Sequence, residues 1–254
     1  MKSRVLFSIC FFIWASSQAQ LINIESQRVQ SDSLRQTTQM ETLYNYQKNN
    51  GEELSEFKFT LSYQLLSKNK VHTYILLGNI DYSSANNEDL SNSGLLHLRY
   101  NKRINDRVKL EVFAQTQFNR VLGVQSRNLI GIGPRYQIVA KSKAQVFLGS
   151  LVMQEFENII LNNEFNNDRR LSNYVSLIIG KSDRYDLSSV IYYQPNILGI
   201  NDYRMSNNTT LSLNISKNLT FIHSLTFGYD SKPPANISKS NIDVSSGIRL
   251  SIPK

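Results

Sequence analysis

The sequence predicts an all-β fold: a transmembrane, antiparallel, up-and-down β-barrel of about twelve strands. Three observations predict it. Successive segments alternate apolar and polar residues, the period-two signature of a strand whose faces meet different solvents. Most of these segments reach ten residues or more. Soluble strands usually stop near about six, whereas a tilted strand needs roughly 9–11 to cross a bilayer. The connections are alternately short and long, as in bacterial barrels with short periplasmic turns and longer outer loops. A soluble sandwich has no reason to sort its loops by parity.

The chain opens on a secretory signal, Met1 to about Ala19. Lys2 and Arg4 form its positive start, Val5 to Ala15 its apolar run, and Ser17-Gln18-Ala19 its small-residue cleavage site. The run is well short of the ~20 apolar residues of a spanning helix. Cys10 is the single cysteine and would leave with the signal, so no disulfide, cysteine–metal site or cysteine nucleophile is expected. Residues 20–35 read as a periplasmic N-terminal segment and 36–254 as the barrel.

The strands follow in order. The first is expected over 36–47 and the second over 53–66, where Phe57, Phe59, Leu61, Tyr63 and Leu65 oppose Lys58, Thr60, Ser62 and Gln64. The third and fourth occupy 70–82 and 93–103. The fifth, 106–119, is the clearest: Val108, Leu110, Val112, Ala114 and Phe118 oppose Lys109, Glu111, Gln115, Gln117 and Asn119, with Phe113 as the exception. Strands at 127–141, 144–157, 169–181 and 184–194 alternate more weakly. In 203–216, Met205, Leu211, Leu213 and Ile215 oppose Arg204, Ser206, Asn208, Thr210 and Ser212. In 219–230, Leu219, Phe221, Leu225, Phe227 and Tyr229 oppose Thr220, Ser224, Thr226 and Asp230. The last, 240–252, sets Ile242, Val244, Ile248, Leu250 and Ile252 against Asp243, Ser245, Gly247, Arg249 and Ser251.

Short turns are expected at 67–69, 104–105, 141–143, 182–183 and 216–218. Longer connections are expected around 83–92, 120–126, 158–168, 195–202 and 231–239. An even strand number then puts both termini in the periplasm. Tyrosines and phenylalanines near strand ends, such as Tyr44, Tyr82, Tyr136, Phe156 and Tyr193, suit the two aromatic girdles of a membrane barrel.

The formal net charge is +8 and stays positive once Lys2 and Arg4 leave with the signal. An exported chain rarely meets nucleic acid, so a lipopolysaccharide surface or an anion-favouring lumen accounts for the excess better. Expected partners are outer-membrane lipid, lipopolysaccharide, the barrel-assembly machinery, and a small solute or ion of unspecified identity.

Several strings go beyond pattern. They are His97-Leu98-Arg99-Tyr100-Asn101, Glu111-Val112-Phe113-Ala114-Gln115-Thr116-Gln117-Phe118-Asn119 and Arg127-Asn128-Leu129-Ile130-Gly131-Ile132-Gly133-Pro134-Arg135. Tyr192-Tyr193-Gln194-Pro195, Asp202-Tyr203-Arg204 and Tyr229-Asp230-Ser231-Lys232-Pro233-Pro234 follow in order, and Asn23-Ile24-Glu25 stands just after the signal. Over nearly the whole mature chain, this resembles an uncharacterised barrel family of Bacteroidetes-type bacteria. Its members are often labelled salt-induced outer-membrane proteins, or simply a domain of unknown function. The resemblance implies an outer-membrane barrel and supplies no established activity. The end, Ile248 to Lys254, departs from the aromatic ending common in outer-membrane barrels.

The candidate site is the lumen. His97, Arg99, Glu111, Gln115, Gln117, Arg127, Arg135, Gln137, Glu155, Arg170 and Arg204 share the inward parity. A lysine or arginine facing lipid at mid-membrane costs roughly 2–4 kcal/mol, which is why such residues belong inside. Arg99, Arg135 and Arg204 are expected to form one charge network with Glu111 and Glu155, with Gln115 and Gln117 satisfying the remaining donors. Gly131 and Gly133, on the same parity, make room for a large neighbour such as Phe113 or Arg99, or let the strand bend.

Barrels of about 8 strands are filled by side chains and those of about 16–18 hold a channel, so twelve leaves open and plugged lumens both available. A small passive channel or an envelope-structural barrel is preferred. An outer-membrane lipid hydrolase and a surface ligand-binding barrel are the rivals. His72 and His223 fall on the lipid-facing parity, and no nucleophile elbow or histidine–serine pairing stands out. Three scattered histidines give no metal-ligand spacing, residues 86–89 resemble a calcium loop in composition only, and no cofactor is implied.

Overall fold

The structure, a computed structural model, describes residues 34–49, 52–85, 88–120, 123–160, 164–180, 184–234 and 237–253. The signal with Cys10, the Asn23-Ile24-Glu25 string and the expected turn at 182–183 lie outside them.

Twelve antiparallel strands close into one barrel in which every strand pairs with its neighbours in sequence and β1 pairs with β12. They are β1 (Gln36–Asn49), β2 (Glu52–Leu66), β3 (His72–Ala85), β4 (Glu88–Arg103), β5 (Val108–Asn119) and β6 (Val124–Lys141). The second half comprises β7 (Ala144–Ile159), β8 (Phe165–Ile179), β9 (Tyr185–Asn196), β10 (Gly199–Asn214), β11 (Leu219–Asp230) and β12 (Ser240–Pro253). Closure leaves no strand edge, which is the condition for a sheet to sit in hydrocarbon. The seam is the shortest ladder: β1 and β12 pair only from Thr37↔Pro253 to Leu43↔Gly247. By contrast, β1 and β2 pair from Gln36↔Leu65 to Asn49↔Glu52.

Every expected strand is present, but the connections differ from expectation. The segments expected as long outer loops are mostly strand: β3 runs to Ala85 and β4 starts at Glu88, β9 ends at Asn196 and β10 starts at Gly199. Only the β11–β12 connection keeps its expected length. The Ser-, Asn- and Asp-rich composition of those segments signals exposure to water, not loss of pairing. A hairpin that rises beyond the bilayer still satisfies its backbone groups in the ladder.

The inner turns are tight. Lys70 takes a left-handed φ of 57° after the Ser67 turn, where Ser67 O accepts from Lys70 N at 2.9 Å. Asn105 Oδ1 accepts from the backbone N–H groups of Arg107 and Val108 at 2.9 and 2.8 Å, an Asx turn between β4 and β5.

The two faces separate as period two requires. Ile130 and Ile132 of β6, Leu148 and Val152 of β7 and Leu96 and Leu98 of β4 are exposed on the outside. The intervening Leu129, Leu151 and Arg99 are buried inside. Apolar side chains at such outward positions are what lipid, and not water, would solvate.

Glycines let large inward side chains lie flat on the wall. A Cβ at Gly131 would fall 2.3 Å from Phe113 Cε1, which identifies Phe113, rather than Arg99, as the neighbour accommodated there. A Cβ at Gly133 would instead meet the backbone carbonyl of Ser150 at 2.1 Å, so that glycine allows close strand approach.

Candidate functional site

The charged residues expected to form one network instead divide between two groups. The outer group surrounds Glu155 of β7. Arg204 Nη1 lies 2.5 Å from Glu155 Oε1, Arg127 Nε 3.4 Å from the same oxygen, and Arg170 Nε 3.4 Å from Oε2. Three guanidinium groups from β6, β8 and β10 thus converge on one carboxylate that is 1% exposed.

Their remaining donors are met by further acids. Arg204 donates to Asp230 at 2.8 Å and Arg170 to Asp202 at 2.9 Å and Asp168 at 3.1 Å. Arg127 donates to Glu157 through Nε at 2.7 Å and also through Nη2. Glu157, Asp168, Asp202 and Asp230 were not among the expected lumen residues. Parity could have found Glu157 and Asp230, which alternate in step with Glu155 and Arg204. A cavity of about 370 Å³ opens above this group, lined by Glu157, Glu164, Asp168, Arg170, Asp202 and Arg204 and roofed by Lys232-Pro233-Pro234 of the β11–β12 connection.

The inner group is a hydrogen-bonded chain with a direction. Arg135 Nη1 donates to Tyr174 Oη at 2.9 Å, and that hydroxyl donates to Glu111 Oε2 at 2.6 Å. Arg99 Nη1 donates to the same oxygen at 3.0 Å, while Arg99 Nε donates to His97 Nε2 at 3.3 Å. The acceptor role of Nε2 puts the imidazole proton on Nδ1, which faces Gln115 Oε1 at 2.8 Å. Gln115 Nε2 then donates to Gln117 Oε1 at 2.6 Å. Gln115 and Gln117 therefore extend the chain through His97 and do not cap the arginines directly. The Arg135 guanidinium also lies over the Phe147 ring, 3.9 Å from its centroid. Gln137, the remaining candidate, is half-buried near the inner end of β6 and joins neither group.

Apolar side chains fill the lumen beside the two groups. Phe113, Leu129, Leu151, Met153, Tyr174, Val190 and Tyr192 form one buried cluster on β5 to β9, and Leu77 of β3 has no exposed surface. The opposite wall is different. Asn208, Ser224, Thr226, Asp243, Ser245 and Gly247 point inward from β10, β11 and β12 and are only half-buried. Gln39 of β1 and Lys58 of β2 continue that strip. Lys58 Nζ meets Asp243 Oδ2 at 2.7 Å, and Arg249 holds Glu41 at 2.9 Å across the seam. The lumen is thus packed along β3–β9 and lined by half-buried polar residues along a strip on β10–β12, β1 and β2.

Two histidines face outward. His72 Nδ1 lies 2.8 Å from Tyr100 Oη. His223 Nδ1 lies 2.7 Å from Ser246 Oγ, across directly paired positions of β11 and β12. This corrects the expectation that no histidine–serine pairing exists: parity gives the face of each residue, but only the inter-strand register brings the two together. Among the described residues no three His, Cys, Asp or Glu side chains converge to hold a metal ion.

A sequence profile described as "Protein of unknown function, DUF481" matches residues 58–251. The chain belongs to the DUF481 family. That span reaches from β2 into β12, so both polar groups of this DUF481 barrel fall within it. No curated protein matches the chain. Among solved structures, the NanC porin aligns with a TM-score of 0.51 at 7% identity, covering 86% of this chain and 99% of that one. The KdgM porin aligns with a TM-score of 0.49 at 12% identity, covering 85% and 99%. On the NanC alignment, the DUF481 barrel shares the closed-barrel fold of a porin, at an identity that speaks for fold alone.

Proposed function

We propose that this barrel is a narrow passive channel for small polar solutes or ions in the outer membrane, reached by export with cleavage of residues 1–19. The accessible inward strip on β10–β12 carries the reading. A wholly plugged barrel would leave no lumenal side chain open to water, whereas Ser224, Thr226 and Ser245 are half-buried while facing inward. Apart from Asp243, the strip on β10–β12 consists of hydroxyl, amide and glycine positions, so it offers water hydrogen bonds without filling the space. The packed β3–β9 side narrows the passage, which favours ions and small molecules over oligomeric solutes. The Lys58–Asp243 pair stands beside the path, and the charged cavity under Lys232-Pro233-Pro234 forms an outer vestibule.

The test is conductance in planar bilayers with Ser245→Trp, which adds bulk to the strip, against Ile132→Trp, which adds it on the lipid face. The first should reduce single-channel conductance several-fold and the second should leave it unchanged. Purified barrels that insert without conducting, or a Ser245→Trp protein that conducts normally, would refute the channel.

One observation favours a second reading, a lipid hydrolase: the His223–Ser246 pair faces the lipid side. Against it, among the described residues no carboxylate or amide orients His223 Nε2, the third part such a site needs. Phospholipid hydrolysis by the purified protein that disappears in Ser246→Ala would establish this reading.

A further inference from the structure

On the outer face of β7–β12 the period-two rule keeps its parity but reverses its chemistry at mid-strand. Ser150, Asn173, Ser189, Thr209, His223 and Ser246 all point outward, one from each strand, near the middle of strands of 12–16 residues. The outward positions on either side become apolar: Leu148 and Val152 flank Ser150, Phe221 and Leu225 flank His223, and Val244 and Ile248 flank Ser246, while on β10 Met205 and Leu211 flank the pair Asn207 and Thr209. On β7, β9 and β11 one inward neighbour is apolar and buried, Leu151, Val190 and Ile222 at 1%, 1% and 0% exposure. These polar groups therefore form a belt at mid-height, bounded by lipid-type surface on both sides.

The opposite half of the wall has no such belt. Its mid-strand outward positions are Leu61, Gly78, Leu98, Ala114 and Ile132 on β2–β6. The belt residues bond in pairs within the sheet: Ser150 Oγ donates to Asn173 Oδ1 at 2.7 Å and Ser189 and Thr209 hydroxyls meet at 2.8 Å. His223 Nδ1 meets Ser246 at 2.7 Å, and His223 Nε2 has no partner among the described residues. An amide or imidazole with unused hydrogen-bonding capacity is poorly solvated by hydrocarbon, so a belt of them at the bilayer centre calls for a polar partner at the same depth.

We propose that this belt is the contact through which a second copy of the chain packs laterally against the first within the membrane. Two features select a second copy. A symmetry axis along the membrane normal keeps every residue at its own depth, so a mid-height belt on one copy meets the mid-height belt on the next. The belt is also uncharged and self-complementary, because Ser, Thr, Asn and His each supply both a donor and an acceptor. The proposal rests on reading the barrel as membrane-spanning, not on the channel activity.

The test uses the full chain in its native membrane with Cys10 replaced by Ala and one cysteine introduced in turn at Ser150, Thr209 and Ser246 on the belt and at Ile132 on the far wall. Oxidation should give a band at an integer multiple of the chain mass from at least one belt position and only monomer from Ile132→Cys. In parallel, the triple variant Asn207→Leu, Thr209→Val, His223→Leu should lower the dimer fraction in lipid nanodiscs by about tenfold or more. It should also keep the heat-dependent gel shift of a folded barrel, which separates loss of contact from loss of fold. Monomer from all belt positions would overturn the proposal, with the belt then facing lipid. So would an adduct whose mass is not a multiple of this chain, with the belt then serving a different protein. A triple variant that folds and still associates would overturn it as well.

Discussion

The packed wall, β3–β9, and the accessible wall, β10–β12 with β1 and β2, are built on one ladder and one period yet do different work. On the packed wall, inward positions carry mostly bulky side chains: Arg99, Arg135, Phe113, Tyr174, Met153 and Arg170 are all buried, while the other wall adds the buried Arg204 and Arg249. On the accessible wall, the inward middle of β11 and β12 carries Ser224, Thr226, Ser245 and Gly247. One side of a barrel of intermediate strand number can thus be close-packed while the other carries small side chains that are only half-buried. The packed side supplies stability. The accessible side gives up packing and leaves room for water.

If this division holds, substitutions on the two walls differ in the property they disturb. The largest stability effect belongs to Glu111→Leu, which strands Arg99 and removes the acceptor of Tyr174 Oη. Breaking a buried pair typically costs about 3–5 kcal/mol. Urea unfolding in detergent, followed by the heat-dependent gel shift, should show a loss of that size. A mild effect would mean that water reaches Arg99.

Leu151→Ala comes next. It removes a side chain 1% exposed from the cluster with Met153 and Tyr174, and should cost about 2–5 kcal/mol in the same titration. Gly131→Ala should be smaller, about 1–3 kcal/mol, because its new Cβ presses on Phe113. Adding Phe113→Leu should recover part of that loss, since the ring is what the Cβ meets. The smallest effect is expected for Ser245→Ala on the accessible wall, within about 0.5 kcal/mol, as for a half-exposed position outside any hydrogen-bond network among the described residues. A loss at Ser245 comparable with that at Leu151 would erase the distinction between the walls.

Much of this was legible in the sequence, and the omissions share one cause. Period two assigns faces, so β5 could be read almost residue by residue, down to Phe113 as an apolar side chain turned inward. It says nothing of depth. Glu111 and Glu155 share a parity, but the register places one beside Arg99 and Tyr174 and the other among Arg127, Arg170 and Arg204. That is why one expected network is two. The same limit hid the His223–Ser246 pair. The outer connections misled for another reason: serine, asparagine and aspartate report contact with water, and a hairpin standing above a membrane has as much of that as a loop.

The short seam between β1 and β12 bears on how such a barrel forms. Each hairpin joins strands adjacent in sequence, but the Arg249–Glu41 bond spans 208 residues. The entropy of joining the chain ends is returned by a ladder of only seven paired positions, Thr37 to Leu43. Such a contact cannot nucleate anything; it can only be made once the intervening hairpins have already brought the ends within reach. The seam is therefore the last joint made, and Glu41→Gln should speed opening of the closed barrel more than it slows closure.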